Sequence, residues 1–337
     1  MSELGVVVIG RNEGARLVRC LESVRGAGRP LVYVDSGSTD GSPAAARRLG
    51  AEVVALDMSV PFTAARARNA GLFRLLERHP DLELVQLVDG DCEVHPGWLE
   101  AGAAAMAADP RLGVVCGRTR ERHPRATVYN RLMDIEWDGP LGDIPASTGN
   151  ALVRVEALRE AGWFRADLIA GEEPELCLRV RRRGWRVARI GAEMVVHDAA
   201  MTRFGQWWRR TVRAGHAYAE GAHLHGAGPE RHWVREARRA VLWGAVLPAV
   251  ALGGAPLTLG GSLLLGLAYP ACAARVYARV RRRGRSRADA AAYAAFTVLG
   301  KLPELQGVLR FHRRRLTGAR RELIEYKGAA APGRVAA

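Results

Sequence analysis

The sequence predicts an α/β fold: a parallel, doubly wound sheet followed by a hydrophobic, basic helical segment. Three observations carry this. Apolar runs of strand length alternate with helix-length segments from Leu4 to Arg118, the pattern of successive βαβ units. One such run, Leu84 to Val88, stops at Asp89-Gly90-Asp91, which sets two carboxylates at the carboxyl edge of a sheet, where open α/β sheets bind ligands. No charged residue occurs over the 35 positions from Ala240 to Ala274. That is longer than an ordinary core helix and shorter than two full membrane spans of about 20 residues each with a turn.

The elements follow in order. Leu4 to Ile9 reads as a first buried strand, ending in Gly10-Arg11-Asn12-Glu13-Gly14 before a helix from Ala15 to Arg25. The Gly-x-Gly-x-x-Gly fingerprint is absent, which argues against a nicotinamide enzyme. Leu31 to Val34 is a second strand running into Asp35-Ser36-Gly37-Ser38-Thr39-Asp40-Gly41-Ser42. Asp40 or Ser42 suits the cap of the next helix. Asp35 at the strand tip suits a base or ribose edge. A third strand spans Ala51 to Leu56, and a helix from Phe62 to Arg78 carries Arg66, Arg68 and Asn69 near its start. Arg66 and Arg68 lie two apart and do not share a helix face.

Asp89 and Asp91 can hold a hard divalent cation and leave positions open for phosphate oxygens; a plain acidic turn is the alternative. A helix from Pro96 to Ala108 and a strand from Leu112 to Arg118 follow, then a looser region with a short helix from Tyr129 to Trp137. Ser147-Thr148-Gly149-Asn150 leads into another strand, and Val155 to Ala161 is a short helix. Gly171-Glu172-Glu173-Pro174-Glu175 precedes a helix expected from Leu176 to Arg183. Acids at a helix N-terminus complement its dipole, which accounts for Glu175. A base for a hydroxyl proton could be one of the other two. Two further strands are expected, Trp185 to Ile190 and an apolar stretch closed by Val195-Val196-His197. His197 suits either a structural hydrogen bond or a metal. The helix from Phe204 to Ala222 mixes Trp207 and Trp208 with arginines.

The formal net charge of +15 is unevenly placed. Residues 1–230 carry 30 Lys+Arg and 30 Asp+Glu, whereas residues 231–337 carry 20 and 5. The basic residues flank an apolar run instead of interleaving with base-stacking aromatics, which argues against nucleic acid. Arginines on both sides of the run place both its ends on the cytoplasmic side, so residues 240–274 read as a hydrophobic hairpin. Residues 275–287 form a basic segment and residues 290–315 an amphipathic, interfacial helix. Five scattered cysteines without metal-ligand spacing fit a reduced compartment. The division is therefore a domain over 1–230, a helical membrane-associated region over 231–325 and a disordered tail over 326–337.

Taken together, Val34 to Ser42, Arg66-Ala67-Arg68-Asn69-Ala70-Gly71, Val88-Asp89-Gly90-Asp91, Gly149-Asn150-Ala151-Leu152 and Gly171-Glu172-Glu173-Pro174-Glu175-Leu176 resemble the motifs of the family 2 glycosyltransferases, over residues 4–215. The resemblance implies a GT-A fold, Rossmann-like and built for nucleotide-diphospho-sugars. It implies a donor (a UDP- or GDP-sugar) held by Asn12, Glu13, Asp35, Ser36, Arg66, Arg68, Asn69, Asp89, Gly149 and Asn150. It also implies Mg²⁺ or Mn²⁺ on Asp91, Asp89 and His197. Glu173 or Glu172 would be the base of an inverting displacement. This chain has Glu173 where the family motif has Asp, which leaves the choice between the two glutamates open. The expected acceptor is a hydroxyl, lipid-linked or in an envelope polysaccharide, exopolysaccharide or glycolipid, reached from the cytoplasmic face of the inner membrane. The competing readings are a sugar nucleotidyltransferase, for which residues 10–14 are a poor match, and a non-catalytic membrane-bound scaffold.

Overall fold

The computed structural model describes residues 4–26, 28–318 and 323–326. The expected tail falls almost wholly outside them. The described chain divides into two compact units, one ending at Ala200 without residues 125–135, the other formed by Arg125–Ile135 and Met201–Tyr326. The sheet-bearing unit lies within the domain expected over 1–230.

In the first unit β1 (Leu4–Gly10), α1 (Ala15–Val24), β2 (Leu31–Asp35), α2 (Ser42–Arg48), β3 (Glu52–Ala55), α3 (Ala64–Arg78) and β4 (Leu84–Asp89) alternate as expected. β5 (Cys92–Val94), α4 (Trp98–Ala108) and β6 (Leu112–Glu121) follow. Beyond α5 (Val128–Trp137) come β7 (Gly142–Asp143), β8 (Ala151–Arg154), α6 (Val155–Ala161), α7 (Glu172–Arg182) and β9 (Arg186–His197). Valines of β1 and β2 are almost fully buried, which is why these strands are continuous apolar runs rather than alternating ones.

The strands form one sheet in the order β3-β2-β1-β4-β8-β6-β9-β5, with β7 beside β9. The expectation of a parallel sheet is corrected here. β1 pairs in parallel with β2 and β4, but β8 runs antiparallel to both β4 and β6. A strand buried on both faces has the same apolar composition whichever way it runs, so the sequence carried no direction for β8.

Two element boundaries also change. The two strands expected after Trp185 are one twelve-residue strand, β9, whose small and polar centre lies at register shifts against β6. The helix expected from Leu176 begins at Glu172, so both candidate bases sit in the first turn of α7 behind Gly171, which is left-handed (φ 80).

The second unit is helical: α8 (Phe204–His225), α9 (Val234–Val241), α10 (Leu247–Gly253), α11 (Ala268–Arg282), α12 (Arg287–Leu299) and α13 (Lys301–Thr317). A π-helical turn, Leu242–Val246, joins α9 to α10, and a 3₁₀ turn, Gly261–Leu267, leads into α11. The hydrophobic stretch is thus a helical hairpin. Among the described residues, no helix is long and apolar enough to cross a membrane. The single amphipathic helix expected over 290–315 is two helices broken near Gly300. The Gly307, Val308 and Phe311 face of α13 is buried, and a Cβ on Gly307 would stand 2.1 Å from the Val212 carbonyl of α8. That face is spent on α8, not left for an interface.

Candidate active site

The carboxyl ends of β1, β2 and β4 present three loops. Asn12, at the first, adopts a left-handed conformation (φ 55). Its amide N–H donates to Ser38 Oγ, and its Oδ1 accepts the Thr39 N–H at 2.7 Å. Asp35, buried at the second, accepts from the Tyr33 hydroxyl and from the N–H groups of Gly37 and Ser38. The carboxylate at the end of β2 therefore builds the loop that follows it. Ser36 donates its N–H to the Gly10 carbonyl, and Glu13, also buried, pairs with Arg16 at 2.8 Å. These four residues shape one edge of the candidate site.

Its centre is Arg68. The residue is 2% exposed, and its guanidinium reaches Asp89 Oδ1 at 2.8 Å, Glu172 Oε1 at 3.1 Å and Glu173 Oε1 at 2.8 Å. An arginine fork suits several carboxylates at once and stays charged when buried. Gly149 lies where these groups converge: a Cβ there would be 2.5 Å from Arg68 Nη2, 2.6 Å from Asp89 Oδ2 and 3.0 Å from Glu173 Oε1. Asn150 beside it accepts the Asp89 N–H at 2.9 Å, which fixes the tip of β4. Glu172 is buried, while Glu173 keeps a fifth of its side chain open (19%). Burial, then the neighbouring Glu172 carboxylate, push Glu173 up to about 7 against the pull of Arg68.

The metal candidates form a second cluster. Asp91 is 3% exposed, and its Oδ2 lies 3.3 Å from His197 Nε2. Cys92 Sγ completes a group whose ligand atoms all lie within 4.8 Å of one another. β5 and β9 make this geometry, since Cys92 pairs directly with His197 across them. The other ring nitrogen of His197 faces Glu121 Oε2 at 3.6 Å, the arrangement that orients a metal-binding imidazole. A carboxylate and an imidazole at this spacing, backed by a second carboxylate, fit a divalent cation such as Mn²⁺ or Mg²⁺.

Not every expected residue joins these clusters. Arg66 donates to the backbone carbonyls of Asp57, Val60 and Pro61, and holds that loop. Asn69 exchanges two hydrogen bonds with the backbone of Phe164, a structural clamp. Asp89 stands outside the Asp91, Cys92 and His197 group and is tied to Arg68. Glu175 grips Arg179 with both oxygens, as its place in the first turn suggested. Glu121 and Cys92 went unpredicted. β6 was expected to stop at Arg118; it runs three residues further and so carries Glu121 to His197. Cys92 had a signal, its adjacency to Asp91.

Comparison with known proteins gives a consistent answer. The model described as glycosyl transferase family 2 matches residues 5–160, and that described as glycosyl transferase family group 2 matches residues 84–280. The glycosyltransferase AglE of Haloferax volcanii is 23% identical over 225 residues, 63% of this chain and 71% of that protein. A mannosyltransferase of Pyrobaculum calidifontis, solved with GDP-Man and Mn²⁺, superposes with a TM-score of 0.54 at 25% identity, over 88% of this chain and 87% of that one.

Proposed function

The chain belongs to the family 2 glycosyltransferases, and we propose that it moves a hexose from a nucleoside diphosphate sugar to a hydroxyl acceptor with inversion. The observation that carries this is the meeting of Arg68, Asp89 and Glu173 around Gly149, next to the Asp91 and His197 pair. The donor is a GDP- or UDP-sugar, in keeping with the GDP-Man of the mannosyltransferase relative.

Asp91 and His197 would hold Mn²⁺ or Mg²⁺, which when bound offsets negative charge on the leaving diphosphate. The loop built on Asp35 and Asn12 receives the nucleoside. Arg68 faces the donor as a fixed positive charge, preorganised because its carboxylate partners already hold it. Glu173 takes the acceptor proton. Of the two adjacent glutamates, it is the one with an open face, and a value near neutrality suits a base working near neutral pH. Both glutamates contact Arg68, but Glu172 is buried and has no open face. The longer side chain at 173 matters little to this role, since it still reaches the Arg68 guanidinium.

We further place the enzyme at the cytoplasmic face of the inner membrane, acting on a lipid-linked or envelope-glycan acceptor, because the chain carries its basic excess beside a charge-free hairpin. The test is release of nucleoside diphosphate from a panel of nucleotide sugars with Mn²⁺ or Mg²⁺, using detergent-solubilised protein. One donor should turn over, and the anomer formed, read by NMR, should be inverted. A retained anomer overturns the inverting step. Pyrophosphate as the product overturns the reading as a transferase.

A further inference from the structure

The hairpin exposes its most apolar residues. Leu252, near the end of α10, is 69% exposed, and Leu257 and Leu259, in the turn between α10 and the 3₁₀ segment, are 88% and 99% exposed. An apolar loop tip in water is unfavourable by roughly 25 cal/mol per Å², and such patches mark interaction surfaces.

The polar groups of the hairpin point to the solvent it is built for. Its hydroxyls bond within the hairpin: Thr258 donates to the Gly254 carbonyl, Ser262 to Ala251 and Tyr269 to Trp243. The turn closes on itself as well. The N–H groups of Gly254, Ala255, Leu257, Thr258, Gly260 and Gly261 all donate to carbonyls between Val250 and Thr258. Internal satisfaction of this kind is what hydrocarbon demands of a backbone.

Length and charge then fix the mode of entry. The contacts Ser262 to Ala251 and Tyr269 to Trp243 show the two arms running antiparallel, so Arg239 and Arg275, which bound the charge-free run, lie at one end. Trp243 and Tyr269 pack edge to face, with ring centroids 5.4 Å apart, the residue types found at a bilayer interface. From Trp243 to Gly253 the arm rises about 15 Å at 1.5 Å per residue. That matches half of a hydrocarbon core about 30 Å thick and falls short of the whole.

We infer that residues 240–274 enter one leaflet of an anionic phospholipid bilayer as a re-entrant wedge, with Leu257 and Leu259 deepest and both arginine flanks on the headgroups of the same face. The inference rests on the membrane placement proposed above and gives it a depth and a polarity. Acidic headgroups complement Arg238 and Arg239 on one arm and Arg275 and Arg279 on the other.

The full chain, mixed with vesicles of neutral and acidic phospholipid, tests this by flotation. Binding should survive about 1 M salt, where the screening length is about 3 Å, and Leu257→Asp with Leu259→Asp should weaken it at least tenfold while nucleotide binding is unchanged. In a Cys272→Ser background, Leu259→Cys carrying an NBD label should be quenched best by lipids brominated near the bilayer centre. The label should resist dithionite trapped inside the vesicles. Reduction by trapped dithionite means that the hairpin crosses, which overturns the wedge and leaves membrane placement standing. Absence of flotation overturns both. Salt-sensitive binding unaffected by the two aspartates overturns apolar entry, and a dimer dissociated by them in lipid-free buffer assigns the tip to a second copy instead.

Discussion

Arg68 and Glu173 are in direct contact, Nη1 to Oε1 at 2.8 Å, and the same arginine holds Asp89 and Glu172. The carboxylate proposed as the base is therefore already oriented by the arginine proposed to face the donor. Removing Glu173's charge while keeping its shape should separate the two roles. Glu173→Gln is expected to lower turnover by about 100-fold or more, with nucleotide affinity within a few-fold of the parent by calorimetry. An equal loss in both would reassign Glu173 to donor binding.

The pH profile follows from the same carboxylate. Glu173 is raised to about 7, so the native protein holds its proton below that value, and kcat should fall as pH drops through neutrality. The sign for stability is opposite. The folded state binds this proton more tightly than the unfolded chain, so Glu173's contribution declines as pH rises from its ordinary carboxylate range to about 7. Paired rate and melting profiles of parent and Glu173→Gln isolate both effects.

Gly149→Ala is expected to disturb the cradle directly. Its Cβ would sit within 2.6 Å of Arg68 and Asp89, and Arg68 is buried with three carboxylate partners. Overpacking of this kind costs about 1–3 kcal/mol. A lowered Tm with donor affinity reduced at least tenfold is the expected pair of results; donor affinity at parental level would show that the arginine yields freely.

Glu121→Gln tests the proposed metal role of His197 without replacing any candidate ligand. Its carboxylate faces the outer nitrogen of His197, and partners of this type tune metal affinity by about 10–100-fold. Mn²⁺ titration followed by electron paramagnetic resonance should show weakening in that range, and none if His197 is not a ligand.

The helical unit has its own test. A Cβ on Gly307 would meet the Val212 carbonyl at 2.1 Å and the His216 backbone nitrogen at 2.5 Å. Backbone cannot step aside as a side-chain end can, so Gly307→Ala should destabilise by about 1–3 kcal/mol, read by denaturant melting. Nucleotide binding at low denaturant should persist.

The first half of the fold was legible because β1, β2 and β4 are buried on both faces and their apolar runs end sharply at Gly10, Asp35 and Asp89. The direction of β8 was not, since direction leaves no mark on such a run. The loop roles of Arg66 and Asn69 were hidden for another reason. Both partners are backbone carbonyls or amides at Val60, Pro61 and Phe164, which carry no residue-type signal. Glu121 was missed because the last three residues of β6, Thr119, Arg120 and Glu121, are all polar and paired only by β9. Asp91 and His197 were legible as types at strand ends; their 3.3 Å approach comes from pairing across more than a hundred residues of chain.

Cys92 stands opposite His197 in the β5–β9 pair, so the position of this proposed metal ligand is set by strand register and not by a loop. Chain length inside β9 therefore acts as an address. Adding or deleting one residue between Arg186 and Met194 shifts every side chain after it to the other face and turns the imidazole away from Asp91. Domain shuffling with related enzymes should place its crossovers outside that strand. Exchanges after Asp198 leave this register intact, whereas insertions or deletions within β9 would undo the proposed cation site.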